Sequence, residues 1–426
     1  MLEALKRRLD SSYAVGGIIV LGLTLRLLHL WVLHPNWLTG DSFFYVQEAI
    51  SWLEKGELEF YWPPALIAWL VPFVGLLGES TGAVVASLTI WGLFIWAWQL
   101  AGTRYLPAWK VNLGHLIWAV FPAFVHQSVI PLSQLPIACC LLFLLYLSKR
   151  NTQFDWLMMG LLLGLMGLIR PASWALIPLW LGKGIYQKIP ASNLILGLVG
   201  LMVLPLLWEG YAWKQTGRWL RINDANSYNL YLGNHPEADH YRNWWLGSHE
   251  SRELKQFESF TSERDSIRAL AIPEQESTYR QLAWGYIAQD PGTFMLRGIN
   301  RARVFWAYDI LTAGSMKANE RSAWWLYLLI DAAMYVILLI GAILFMLRGQ
   351  RGSRLLFLSL LLYMLPYLLA FAHPSYHFPL LPLMAIGMLK LESRAWPKNK
   401  AIFWIILALV LFIQLEWSID LLARFR

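Results

Sequence analysis

The chain has two cysteines, and they are neighbours, Cys139 and Cys140, inside an apolar run. Adjacent residues of one helix are poorly placed to bridge, so the pair says little about redox compartment. Charge is scarce as well: Asp, Glu, Lys and Arg make up 15% of 426 residues, against about a quarter in soluble domains. No Walker loop, dinucleotide glycine fingerprint, zinc motif or nucleophile elbow occurs. Internal repeats, low-complexity tracts and the alternating pattern of barrel strands are missing too.

What fills the sequence is apolar. Hydrophobic residues make up 57% and mean hydropathy is +0.45. They gather into runs such as "YAVGGIIVLGLTLRLLHLWVL" and "AIFWIILALVLFIQL". Each is of roughly the 20-residue length that a ~30 Å hydrocarbon core demands at about 1.5 Å per residue. The 25 Trp suit crowded membrane interfaces. The first run follows "KRRLDSS", is long and lacks a small-residue cleavage site, so it reads as a retained helix. The expectation is an all-α polytopic membrane protein with about 11 transmembrane helices. They fall near 13–33, 81–101, 111–127, 130–147, 154–169, 172–186, 193–213, 323–347, 354–371, 374–389 and 400–421.

The formal charge of +8 follows topology. With the N-terminus in the cytoplasm, nearly all short basic loops fall on the inner side, as the positive-inside rule requires, and nucleic acid is not an expected partner. "PPALIAWLVPFVGLLG" (63–78) is short and carries three prolines, and counting it as a crossing would invert the basic loops that follow. It reads as a re-entrant or interfacial segment. The chain then divides into an N-terminal transmembrane module, 1–213, with an outer loop at 34–80. An extracytoplasmic domain, 214–322, and C-terminal transmembrane helices, 323–426, follow. Residues 214–322 hold 13 of the 27 acidic residues. They read as a small mixed α/β domain: "GRWLRINDANSYNLYLGN" looks extended, and a helical pattern from Gln275 is broken at Asp290-Pro291-Gly292.

Unusual residues collect on the outer face. Asp41 and Glu48 stand in the first outer loop, and Arg26 and His29 in the outer half of the first span. His126, Gln127 and Gln134 flank the third and fourth spans, Arg170 ends the fifth, and His373, Tyr376 and His377 join the ninth and tenth. Ionisable groups at membrane depth are costly and usually line a cavity, so one outward-facing site is the economical expectation. Spacing alone leaves roles open. Asp41 suits a helix cap or a catalytic base, Glu48 a solvated face or a second acid, and Arg170 an interfacial anchor or a phosphate contact. "HPEADH" (235–240) with His249 and Glu250 has the flavour of a metal site but no standard spacing.

The string Gly40-Asp41-x-x-x-Tyr45-x-x-x-Ala49-x-x-x-Leu53-x-x-Gly56, then Pro63-Pro64, resembles the first outer loop of GT-C integral-membrane glycosyltransferases. The likeness is to the protein O-mannosyltransferase and aminoarabinose transferase branch. It continues in Arg26, "FPAFVHQSVIPLSQLP", "GLIRPASWALIP" and "HPSYHFPLLPLMAIG". The resemblance implies an inverting transfer of a sugar from a polyprenyl-phosphate carrier to a hydroxyl of a lipid, glycan or protein. It places the chemistry outside a prokaryotic plasma membrane, in the cell envelope. It makes Asp41 the base, with Glu48 beside it, and gives substrate contacts to Arg26, Tyr45, His126, Gln134, Arg170, His373, Tyr376 and His377. No essential cofactor is implied, with room for a divalent cation. Ser42 stands where many relatives have a second acid, Gln134 where they carry a carboxylate, and Ser375 where they carry an arginine. A lipid or polysaccharide transporter or flippase, and a polymerase or ligase using a diphosphate-linked donor, are the alternatives.

Overall fold

A computed structural model describes residues 6–425 apart from 7, 11, 35, 36, 39, 57, 242–245, 247–256, 351 and 392–398. Among the described residues there are helices and turns and no strand. The first long helix, α1 (Ser12–Leu33), is followed by α2 (Asp41–Lys55), α3 (Pro64–Leu77) and α4 (Glu79–Tyr105). Next come α5 (Ala108–Val120), α6 (Pro122–Gln127), α7 (Gln134–Leu147), α8 (Gln153–Ile169), α9 (Ile177–Tyr186) and α10 (Ala191–Thr216). A helical layer holds α11 (Ala225–Asn234), α12 (Glu258–Arg268), α13 (Ile272–Gln289), α14 (Pro291–Phe305) and α15 (Leu311–Ala318). The chain closes with α16 (Trp324–Leu347), α17 (Ser353–Leu369), α18 (Leu381–Leu389) and α19 (Lys400–Phe425).

Among the described residues, five helices are long and apolar enough to cross a membrane: α1, α4, α10, α16 and α19. This is a polytopic integral membrane protein. Four shorter apolar helices, α3, α7, α8 and α17, stand among them. Prolines decide where the apolar runs break. The run at 111–127 divides into α5 and α6 at Pro122. Those at 172–186 and 374–389 each open with a 3-10 turn, Pro171–Leu176 and Pro374–Leu380.

Close packing comes from glycine. A Cβ on Gly160 of α8 would lie 2.0 Å from the carbonyl oxygen of Gly197 on α10, and one on Gly164 2.6 Å from that of Leu201. Without side chains there, two backbones approach as small residues permit in membranes.

Within segment 63–78, Pro64–Leu77 is one unbroken helix despite Pro72, and it packs against α2. A Cβ on Gly75, near its end, would touch Leu53 of α2 at 3.3 Å, while Tyr45 packs edge-on against Trp62 just before its start. Beyond it, Gln47 Nε2 of α2 donates to Glu79 Oε1 at 3.0 Å.

The stretch expected to be extended is different. Residues 225–234 form α11, because Tyr228, Tyr231 and Leu232 recur at helical spacing and bury one face. With Phe260, Ile267, Tyr279 and Ala283 they make a small separate core, so the described part of 214–322 is a helical layer where a mixed α/β domain was expected. The break at Asp290 is present: its carboxylate accepts from the Thr293 N–H at 2.9 Å and caps α14. Two arginines of α14 hold this layer. Arg297 donates to the carbonyls of Asn234, Pro236 and Ala238. Arg301, fully buried, reaches the carbonyls of Leu368 and Leu369 at the end of α17 and of Gly233 at the end of α11. A cation suits two helix C-termini at once.

Candidate active site

Three local features bring chemistry to one recess. Gly40 takes a positive φ of 56°, which a glycine adopts freely, and turns the chain so that α2 starts at Asp41. Arg170 precedes Pro171, and a residue before proline is driven out of the helical region. It therefore leaves α8 extended, at φ −156° and ψ 104°. His373, before Pro374, is extended for the same reason.

Asp41 does not cap α2: the cap position belongs to Gly40, and no side-chain capping bond is made. Its carboxylate has open surface, and no described residue hydrogen-bonds to it. Surrounding protein still desolvates it, raising its pKa above the usual carboxylate value, while the charge of Arg170 pulls it down. Open surface together with desolvation describes the wall of a recess. The guanidinium of Arg170 is held by neutral groups. Its Nε and Nη2 donate to Ser133 Oγ at 3.2 and 2.7 Å, and its Nη1 to Tyr367 OH at 3.3 Å. Its face lies 4.5 Å from the Tyr376 ring centroid. Hydroxyls and a ring orient the cation without neutralising it, so its charge stays available to an anion.

Tyr45 is buried, with Asp41, Arg170 and Ser133 all in reach of its phenol. Tyr61 is within reach of Asp41 from the side of the helical layer, where Asn223 Nδ2 bonds its carbonyl at 2.8 Å. Gln134 Nε2 lies 3.5 Å from Ser375 Oγ, which is 2.8 Å from His373 Nδ1. The Ser375 N–H also donates to Nδ1 at 3.1 Å, so Nδ1 carries no proton and the neutral ring holds its proton on Nε2.

The other expected residues stand elsewhere. Glu48 is buried, and its Oε2 accepts from the Glu59 N–H at 3.2 Å, tying α2 to the following loop; burial raises its pKa. Arg26 donates to the carbonyls of Gly22 and Trp118 and stacks on Trp91 at 4.1 Å. His126 joins a separate buried chain, 3.0 Å from His29 and 3.3 Å from Ser315 Oγ. His377 bonds the Phe305 carbonyl at 2.8 Å and stacks on Tyr335 at 4.2 Å, away from its neighbour Tyr376. Ser133, Tyr367 and Tyr61 were not anticipated. The i, i+4 pair Tyr363–Tyr367 in an otherwise apolar helix was the available signal.

Among the described residues no three of His, Cys, Asp and Glu gather as a metal site. His235 is buried, 3.6 Å from Glu263; His249 and Glu250 lie outside the described residues.

No protein-family model and no curated protein matches the chain. Among solved structures it is similar to ArnT from Cupriavidus metallidurans bound to undecaprenyl phosphate. The two are 14% identical, the match covers 88% of this chain and 78% of that one, and the TM-score is 0.43.

Proposed function

We propose that this chain is an inverting glycosyltransferase of GT-C type, with Asp41 as general base and a polyprenyl-phosphate sugar as donor. The acceptor is a hydroxyl, and the chemistry lies on the extracytoplasmic face. The observation that carries this reading is an open, desolvated carboxylate, without a hydrogen-bond partner among the described residues, beside a guanidinium that hydroxyls and a ring hold.

The acceptor hydroxyl gives its proton to Asp41 as its oxygen bonds to the anomeric carbon. The bond from that carbon to the phosphate oxygen breaks, and its electron pair leaves on the phosphate. Arg170 faces the growing charge, and the His373 ring is oriented by Ser375 to add an N–H donor. Desolvation makes Asp41 a stronger base than a solvated carboxylate. One guanidinium suits a monophosphate leaving group, which favours this donor over a diphosphate; side-by-side assays with both donors separate the two readings. A transporter would show transport and no glycosyl product.

The deciding experiment is Asp41→Asn, assayed for transfer from a polyprenyl-phosphate sugar. Loss of at least about 10²-fold in rate is expected, with thermal unfolding unchanged. Full activity in a folded Asp41→Asn protein overturns the assignment.

A further inference from the structure

At the end of the bundle away from Asp41, a partly open recess lies between α7, α8, α9, α17 and α18. Leu144, Leu145, Met159, Leu163, Leu356 and Leu383 are typical of its wall, and none of the described residues lining it carries a carboxylate. Its mouth is cationic. Lys183, Lys390 and Tyr105 line it. The Nζ of Lys390 lies 5.6 Å from the Tyr105 ring centroid, and that of Lys149 4.8 Å. The charges of Lys149 and Lys183 are close enough to act on one another.

Each lysine has a local reason to be there. Lys183 bonds the Ser148 carbonyl at the end of α7, and Lys149 and Lys390 follow the last turns of α7 and α18. Cations favour helix C-termini, and basic residues favour the inner membrane face. Those reasons leave one fact over: two ammonium groups, those of Lys149 and Lys390, converge on one ring at the mouth of an apolar recess, with Lys183 on the same lining and within electrostatic reach of Lys149. The donor of the proposed reaction does not account for it. Its phosphate belongs at Arg170, beyond the C-terminal end of α8, whereas Lys149 and Arg150 precede the N-terminal end of that helix, and an isoprenoid tail brings no charge to lysines.

We propose that this recess binds an anionic phospholipid of the leaflet opposite the Asp41 site, its phosphate among Lys149, Lys183 and Lys390 and an acyl chain between α8 and α17. The charge complementarity is that of basic pockets between transmembrane helices that hold acidic lipid headgroups.

The test is to reconstitute the full chain in bilayers of phosphatidylglycerol and phosphatidylcholine, extract it in detergent, and count retained lipids by native mass spectrometry. Phosphatidylglycerol is expected to be retained over phosphatidylcholine, and each Lys→Gln change at 149, 183 or 390 to lower retention about five-fold. Leu163→Trp, which fills the recess and leaves the lysines in place, should also expel the lipid. Arg170→Gln should leave retention unchanged, so this result is independent of the glycosyltransferase reading. Equal retention of both lipids, or retention indifferent to the lysine and Leu163 variants, overturns the proposal. Displacement by inorganic phosphate alone would make it a free-anion site, and displacement by a polyprenyl phosphate would make it the donor's tail groove; either result also overturns it.

Discussion

Asp41 is governed by two opposed influences, and the opposition is measurable. Surrounding protein raises its pKa above 3.8, and Arg170 restrains the rise. The base proposed above must be unprotonated, so activity should fall as pH drops through that raised value. Arg170→Gln removes the restraint and should move the acid limb of kcat/KM to higher pH, besides lowering the rate. A limb that stays or moves down would separate the two residues. Asp309 gives a stability counterpart. It is buried, its Oδ1 accepts from the Leu311 N–H at 3.0 Å, and burial pushes its pKa from 3.8 up to about 6. Folding therefore favours its protonated form. That contribution is fully present below pH 3.8 and is lost as pH rises through about 6. The loss is on the order of 3 kcal/mol. Asp309→Asn keeps the acceptor and cannot ionise, so its unfolding temperature should exceed that of the parent at pH 7 and converge with it near pH 4.

Among the elements, α8 and α10 are the most exacting. Gly160→Ala would force its methyl against the Gly197 carbonyl and should cost about 1–3 kcal/mol. Gly92→Ala in α4 meets nothing within 4 Å and should be neutral or slightly stabilising, read in the same thermal unfolding assay. The packing of both ends of α3 against α2 carries a topological prediction. Single cysteines at Leu58 and Ser80, before and after α3, should be labelled by an impermeant reagent from the same side of sealed vesicles; labelling from opposite sides would make α3 a crossing. Much of this was legible. Apolar length announced the long helices, and Pro171 and Pro374 announced the breaks that expose Arg170 and His373. Other parts were hidden because composition does not fix direction. His377 and Tyr376 are neighbours with the same interfacial chemistry, yet only Tyr376 faces Arg170. Tyr228 and Tyr231 sit in a stretch rich in turn-forming Asn and Gly, and burial against α12 and α13 settles them as helix.

At the scale of the whole molecule, the recess draws on distant parts of the chain: Asp41, Ser133, Arg170, Tyr367 and Tyr376. No contiguous motif could have listed them. Arg26, His29 and His126 show the opposite limit. They shared the expected face, but the structure uses them to fasten α1 to α5 and α6, which sequence position cannot distinguish from lining a site. Arg301 carries a consequence for biosynthesis. It emerges from the ribosome with the helical layer, but two of the carbonyls it grips, those of Leu368 and Leu369, are made more than sixty residues later. Arg301 can therefore engage Gly233 and Asn234 as soon as it is made, but its grip on the end of α17 waits for the last helices. Tyr376 arrives just after those carbonyls, so docking of the layer and completion of the Arg170 cradle fall at the same stage of synthesis, and an unfinished chain holds Asp41 beside an Arg170 that lacks its two tyrosines.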